Sequence, residues 1–332
     1  MSQKTVLQVE NLRMYYNTTE GDVRAVDGLN FEVAEGEVLG IVGESGCGKS
    51  SMAQTLMKLL PSNGKIKQGR VVVDGIDITN MHDGEIRRKI RWSKIAMIPQ
   101  GAMNSLNPVF KVGDQISEVL RVHKGISKKE AMRNSKALLQ LVGVDPRRAV
   151  YYPHEFSGGM KQRAMIAMSL ALTPSVLIAD EPTTALDVIV QAGIIRLLLA
   201  LRKEFGMSII LITHDLALVA QMSDTIAIMY AGEFVEYGRA QQVYGTTLHP
   251  YTLGLLGAFA DISGPKKKLI SIPGSPPDLL NPPSGCRFNP RCPYAKDLCR
   301  EKPPVLEDAG EGHLVACHFW KNIYEQRMEG PK

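Results

Sequence analysis

No uncharged apolar run in the chain reaches the roughly 18 residues that a membrane-spanning helix requires, so nothing in the sequence reads as a transmembrane segment. Lys4, Glu10 and Arg13 interrupt the first residues, which therefore hold no apolar signal-peptide core. The expected location is cytoplasmic, with any membrane association made through a partner. Strong charge of one sign is also missing. A net charge of +5 over 332 residues suits an anionic ligand but demands neither nucleic acid nor lipid. No internal repeat is present. The cysteines contain no C-x-x-C pair, which excludes the usual zinc spacing, and they match neither common ferredoxin spacing. With 44% hydrophobic and 22% charged residues, the chain is an ordinary globular sequence, long enough for one large domain with an appendage or for two domains.

The most informative stretch is Gly43-Glu44-Ser45-Gly46-Cys47-Gly48-Lys49-Ser50, a match to G-x-x-x-x-G-K-[ST]. Backbone N–H groups of such a loop curl round nucleotide phosphates, which only a glycine-rich backbone approaches closely. Lys49 is placed to reach the β- and γ-phosphates, and the Ser50 hydroxyl to hold Mg²⁺. Val38–Val42 before the loop reads as a buried parallel strand. Ser51–Leu60 after it reads as a helix stopped by Pro61, whose N-terminus offers partial positive charge to the phosphates. Cys47, at that helix start, is expected to have a lowered thiol pKa and to react with maleimide unless ATP protects it.

Residues 1 to about 99 read as strand-rich, with candidates at Thr5–Val9, Leu29–Val33, Val38–Val42, Val71–Val73 and Ile95–Ile98. From Asn104 to about Leu172 the pattern is helical. Ser127-Lys128-Lys129-Glu130 forms a capping box that opens one of these helices, which Gly143 stops. Alternation of strand and helix resumes at Ser175, which argues for a parallel α/β core interrupted by a helical insertion. After Asp261 prolines cluster, and four of the five cysteines follow, marking a loop-rich appendage.

Three apolar runs end in chemically useful residues. Val38–Val42 delivers the phosphate loop, Val176–Ala179 ends at Asp180-Glu181, and Ile209–Ile212 ends at Thr213-His214. Ligands of an open parallel sheet lie beyond the carboxyl ends of its strands, so the three ends are expected at one site. Asp180 suits the Mg²⁺ shell through Ser50 and water. Glu181, beside Pro182, is the candidate general base, and His214 is the candidate partner of the γ-phosphate or the attacking water. Gln100, closing Ile95–Pro99, is the candidate sensor of Mg²⁺ and water. Phe156-Ser157-Gly158-Gly159-Met160 leads into an apolar helix, and a Ser-Gly-Gly at a helix start offers bare N–H groups to an anion.

The phosphate loop, Gln100, Ser157-Gly158-Gly159, Val176–Glu181, Ala185-Leu186-Asp187 and His214, in this order, resemble the ATPase subunit of an ABC transporter over about residues 5 to 255. The resemblance implies an α/β fold: a P-loop NTPase parallel-sheet core with N-terminal antiparallel strands, a helical subdomain at about 101–172, and a small Cys-rich C-terminal appendage. It implies a nucleotide-binding domain over residues 1–260 and a metal-binding domain over 261–332. It further implies that two such subunits close face to face, so that Ser157, Gly158, Gly159 and Met160 of one contact ATP held by Gly43–Ser51 of the other. Asp187 would lie at the seam, and Tyr16 occupies the family's adenine-stacking position, with Tyr15 as fallback. Two departures stand out: Met160 replaces the common Gln, and Pro99-Gln100-Gly101-Ala102 replaces the common Phe-Gln-Asp-Pro.

Cys286, Cys292, Cys299 and Cys317 are separated by five, six and seventeen residues. The spacing alone leaves open a metal site, unmetallated thiols or, against the redox balance of a reducing compartment, disulfides. Pro282–Pro293 together with His249-Pro250-Tyr251-Thr252 resembles the dipeptide/oligopeptide branch of ABC importers, some of whose members carry a four-iron cluster on these cysteines. That resemblance implies a [4Fe-4S] cluster here, with zinc as the alternative. It also implies a second ATPase subunit (homologous, or a second copy), two transmembrane permease subunits and an extracytoplasmic substrate-binding protein. The chain would then be peripheral to the cytoplasmic face of the membrane. Nickel and oligosaccharide importers have similar ATPase subunits, and a soluble ATPase acting on nucleic acid or ribosomes is the alternative of another class.

Overall fold

The structure, a computed structural model, describes residues 4–257 and 272–328. Two sheets organise the fold. The first is antiparallel and has the strand order β2-β1-β4-β5, built from β1 (Thr5–Thr18), β2 (Gly21–Ala34), β4 (Gly64–Val73) and β5 (Ile76–Asp77). The second contains β3 (Val38–Val42), β6 (Ile95–Ile98), β7 (Val176–Asp180), β8 (Ser208–Thr213) and β9 (Thr225–Tyr230), all parallel, in the order β9-β3-β8-β7-β6. Antiparallel β10 (Glu233–Arg239), β12 (Leu314–Val315) and β11 (Glu307–Asp308) extend its β9 edge.

The central strands are buried on both faces, which explains why they read as continuous apolar runs. The two faces divide by the period of a strand. Leu39 and Ile41, Val176 and Ile178, and Ile210 and Ile212 face the antiparallel sheet and helix α1 (Lys49–Leu56). Val38 and Val42, Leu177 and Ala179, and Ile209 and Leu211 face the opposite core. Gly40 is required there, because a Cβ at that position would lie 2.1 Å from the Val219 side chain.

A short helix α2 (Asp83–Lys89) precedes β6. Between β6 and β7 the chain leaves the sheet to form α3 (Val112–Lys124), α4 (Lys128–Leu141) and α5 (Gly158–Ser169), the helical insertion expected from the sequence. Ser127 caps α4 by accepting the Glu130 N–H at 3.2 Å. Helix α6 (Val188–Phe205) then links β7 to β8. The domain division expected near residues 260 and 261 lies outside the described residues. Beyond it, β12 pairs with β10 through Glu236–Val315 and Tyr237–Leu314, so the carboxy-terminal segment completes the main sheet.

Candidate functional site

The phosphate loop starts where β3 ends. A Cβ on Gly43 would meet the Met229 carbonyl oxygen at 2.2 Å, and one on Gly48 would meet the Ala25 carbonyl oxygen at 2.0 Å. Gly48 also has φ +108°, a conformation open to glycine and costly for other residues. Lys49 is buried and folds back on the loop, its Nζ donating to the carbonyls of Gly43 at 2.7 Å and Glu44 at 2.8 Å. The loop is thereby shaped in advance around its own cation.

A cleft of about 300 Å³ opens beside it, lined by Ser45, Gly46, Gly48, Lys49, Ser50 and Ser51. Tyr16, Val23, Ala25, Leu279, Gln100 and Glu181 complete its lining. Tyr16 is bound to the loop by its hydroxyl, which donates to Ser51 Oγ at 3.0 Å. The three strand ends meet as the sheet topology requires, β3 lying beside β8 and β8 beside β7.

Asp180 is 1% exposed, and its Oδ1 has no hydrogen-bond partner among the described residues. Burial pushes its carboxyl pKa up, and the Ser50 hydrogen bond opposes that shift. A buried carboxylate oxygen left unsatisfied next to Ser50 is costly unless a cation completes it, and two hard oxygens suit Mg²⁺. Glu181 follows in the left-handed region at φ 47°. Its Oε2 accepts from Gln100 Nε2 at 3.0 Å and from Thr184 Oγ1 at 2.9 Å, and its Oε1 lies 3.5 Å from His214 Nδ1. Burial raises the Glu181 pKa, but the bonds from Thr184, His214 and Gln100 outweigh it and hold the group below the ordinary carboxylate value.

The Ser157–Met160 turn is not among the residues lining this cleft. Ser157 caps α5, accepting the Met160 N–H at 3.4 Å, and Asp187 caps α6, accepting the Val190 N–H at 2.9 Å. The two caps form one unit, since a Cβ on Gly159 would lie 2.7 Å from Val190.

Cys47 corrects an expectation. Its thiol is 2% exposed, and burial, opposed by Lys49, raises rather than lowers its pKa. The helix terminus loses to desolvation because the side chain is buried in the core cluster that also holds Met52 and Met229, even with Lys49 Nζ 3.5 Å from its Sγ.

Cys286, Cys292, Cys299 and Cys317 line a single small apolar cavity together with His249, Phe288 and His318. Burial, reinforced by the neighbouring cysteines, pushes Cys286 and Cys292 up to about 11 and Cys317 to about 12. The donor chemistry fits a thiophilic metal. Among the described residues, however, no group of three or more His, Cys, Asp or Glu side chains is arranged to hold an ion.

Several contributors escaped the sequence reading. Thr184, three residues after Glu181 in the turn, carried only a weak signal. Val23 and Ala25 carried none. Leu279 comes from a Pro-rich stretch with no motif.

Residues 26–184 match the family model for the ABC transporter, and residues 235–299 match that for the oligopeptide/dipeptide transporter C-terminal region. An oligopeptide transport ATP-binding protein of Escherichia coli is 49% identical over 314 residues, covering 94% of this chain and 92% of the relative. A dipeptide transport ATP-binding protein of Caldanaerobacter subterraneus is 44% identical over 320 residues, covering 95% and 97% respectively. Among solved structures, a dimeric ATP-binding cassette in a post-hydrolysis state bound to ADP and Pi matches with a TM-score of 0.63 at 30% identity, covering 70% of this chain and 98% of that one. The chain therefore belongs to the ABC transporter family, among its ATP-binding, ATP-hydrolysing subunits.

Proposed function

We propose that this chain powers the uptake of di- or oligopeptides as the nucleotide-binding subunit of an ABC importer. It sits at the cytoplasmic face of the membrane with two permease subunits, a second ATPase subunit and an extracytoplasmic binding protein. The names of the relatives and the oligopeptide/dipeptide match over residues 235–299 support the substrate class. The observation that carries the chemistry is Glu181 held ionised by Thr184, His214 and Gln100 at the rim of the phosphate-loop cleft.

In this reading Lys49 exchanges its bonds to the loop carbonyls for the β- and γ-phosphates. Ser50, Asp180 and Gln100 would hold Mg²⁺, which when bound would neutralise charge on the phosphates. Glu181 takes the proton of the attacking water. His214 orients that water and the γ-phosphate, and Tyr16 stacks on adenine. Ser157, Gly158, Gly159 and Met160 complete the site of a second subunit, and Asp187 lies at the seam. The nucleotide-binding domain corresponds to residues 1–260 and the metal-binding appendage to 261–332.

Replacing Glu181 by Gln is expected to lower turnover by roughly two orders of magnitude or more, the scale of a lost general base, while MgATP still binds. Near-normal turnover would place the base elsewhere.

We further infer that the four tail cysteines carry a [4Fe-4S] cluster, with zinc as the alternative, that ties down a segment too rich in proline to build its own core. Their convergence on one cavity supports this reading. It requires the thiols to close in beyond the arrangement described above. Iron and acid-labile sulfide with broad visible absorbance are the expected result. A colourless protein holding stoichiometric zinc would overturn the iron assignment.

A further inference from the structure

The carboxy-terminal segment touches the phosphate loop through Arg291 and lines the nucleotide cleft through Leu279. The Arg291 guanidinium forks onto the Glu44 carboxylate, Nη1 to Oε2 at 2.6 Å and Nη2 to Oε1 at 2.9 Å. Its Nε donates to the Pro273 carbonyl at 2.8 Å, and Nη1 also reaches the Tyr230 hydroxyl at 3.3 Å. The Arg291 side chain is 5% exposed, so the pair is screened little by solvent. Glu44 belongs to the phosphate loop, and its own carbonyl accepts Lys49 Nζ at 2.8 Å. Its N–H donates to the Tyr251 hydroxyl at 2.8 Å, so side chain and backbone are both pinned from outside the loop.

Leu279 lines the cleft together with Tyr16 and Val23. The segment is fastened there by the Arg24 N–H, which donates to the Leu279 carbonyl at 2.9 Å, and by Leu280 against Gly21. One short span thus supplies both Arg291, which holds the phosphate loop through Glu44, and Leu279, which lines the cleft bordered by that loop.

We propose that residues 279–291 are part of the nucleotide site itself, Leu279 as an apolar wall at its base end and Arg291 as a positioning residue that holds the phosphate loop through Glu44. The proposal rests on the cleft being the nucleotide site and adds the segment that sets its affinity. It predicts that nucleotide binding responds to changes in the tail well outside the phosphate-loop motif.

The test is calorimetry of the full-length protein with MgADP, together with KM and kcat for MgATP, on Arg291→Gln, Arg291→Lys, Glu44→Gln, the Arg291→Gln/Glu44→Gln double variant and Leu279→Ala. Arg291→Gln is expected to weaken MgADP about tenfold, the scale of a charged hydrogen-bonded pair, and to raise KM by more than it lowers kcat. Arg291→Lys, which keeps the charge without the fork, is expected to fall between the two. The double variant is expected to be no weaker than the worse single one. Leu279→Ala is expected to weaken MgADP about fivefold through lost apolar contact. Additive losses in the double variant, or unchanged affinity in Leu279→Ala with unaltered thermal unfolding, would overturn the proposal. If Arg291→Gln fails to fold, Arg291→Lys and Leu279→Ala still decide it. Failure of the unaltered protein to bind MgADP would instead sink the nucleotide reading.

Discussion

Cys47 sits between two opposing influences, and their magnitudes decide its chemistry. A helix N-terminus and Lys49 favour the thiolate, while near-complete burial disfavours it. Burial wins, so the protonated thiol dominates near neutrality. Brief N-ethylmaleimide treatment at pH 7 is expected to leave Cys47 unmodified in the folded protein and to label it after denaturation, as read by peptide mass. Rapid labelling of the folded protein would mean that the loop opens far more often than its packing implies. Glu181 shows the same competition with the reverse outcome, since three donors overcome a shallower burial. Neither outcome was legible from residue type alone. The sequence placed Cys47 beside a helix and Glu181 after a strand, but the side-chain direction and the donor Thr184 exist only once the chain is folded.

Elements were more legible than their side-chain environments, and the misses have local causes. Strand β3 and strand β6 have the bounds their apolar runs indicate, because strands buried on both faces carry an unbroken signal. Strand β1 continues from the expected Thr5–Val9 to Thr18, because irregular pairing between Val9 and Leu12 and a left-handed Asn11 disrupt its alternation. Helix α1 stops at Leu56 rather than Leu60, where Lys58 takes φ 48° and turns the chain before Pro61. At this scale Asp187 has two separable duties. As the cap of α6 it satisfies the Val190 N–H, so Asp187→Ala is expected to cost about 1 kcal/mol of stability, whereas Asp187→Asn retains the cap and most of that stability. A seam role requires the carboxylate as well, so both variants are expected to lose turnover. An Asn variant with full stability and full turnover would leave Asp187 only its capping duty.

On the proposed reading, the whole molecule is a half-site. One protomer gathers the phosphate loop, Gln100 and Glu181 round the cleft, while the Ser157–Met160 turn lies outside that lining. Next to the Asp187 cap, Val188 and Ile189 are 79% and 83% exposed, an unusual position for two β-branched apolar side chains at a helix start. The family resemblance read from the sequence is what implies this division. The tail contacts were not legible there, since Arg291 and Glu44 lie 247 residues apart and meet only through tertiary packing. If two chains bury this surface round MgATP, hydrolysis per chain must rise with protein concentration and then level off as dimers saturate. Ile189→Asp, which places a charge on the exposed patch without touching the cleft, is expected to move that rise to higher concentration and to leave MgADP affinity of the single chain within about twofold. The Glu181→Gln variant, unable to discharge its nucleotide, is expected to elute as a dimer with MgATP and as a monomer with MgADP. Turnover per chain that stays constant on dilution, with Ile189→Asp indistinguishable from the unaltered chain, would show that one protomer hydrolyses ATP alone, and the Ser157–Met160 turn would then need a different role.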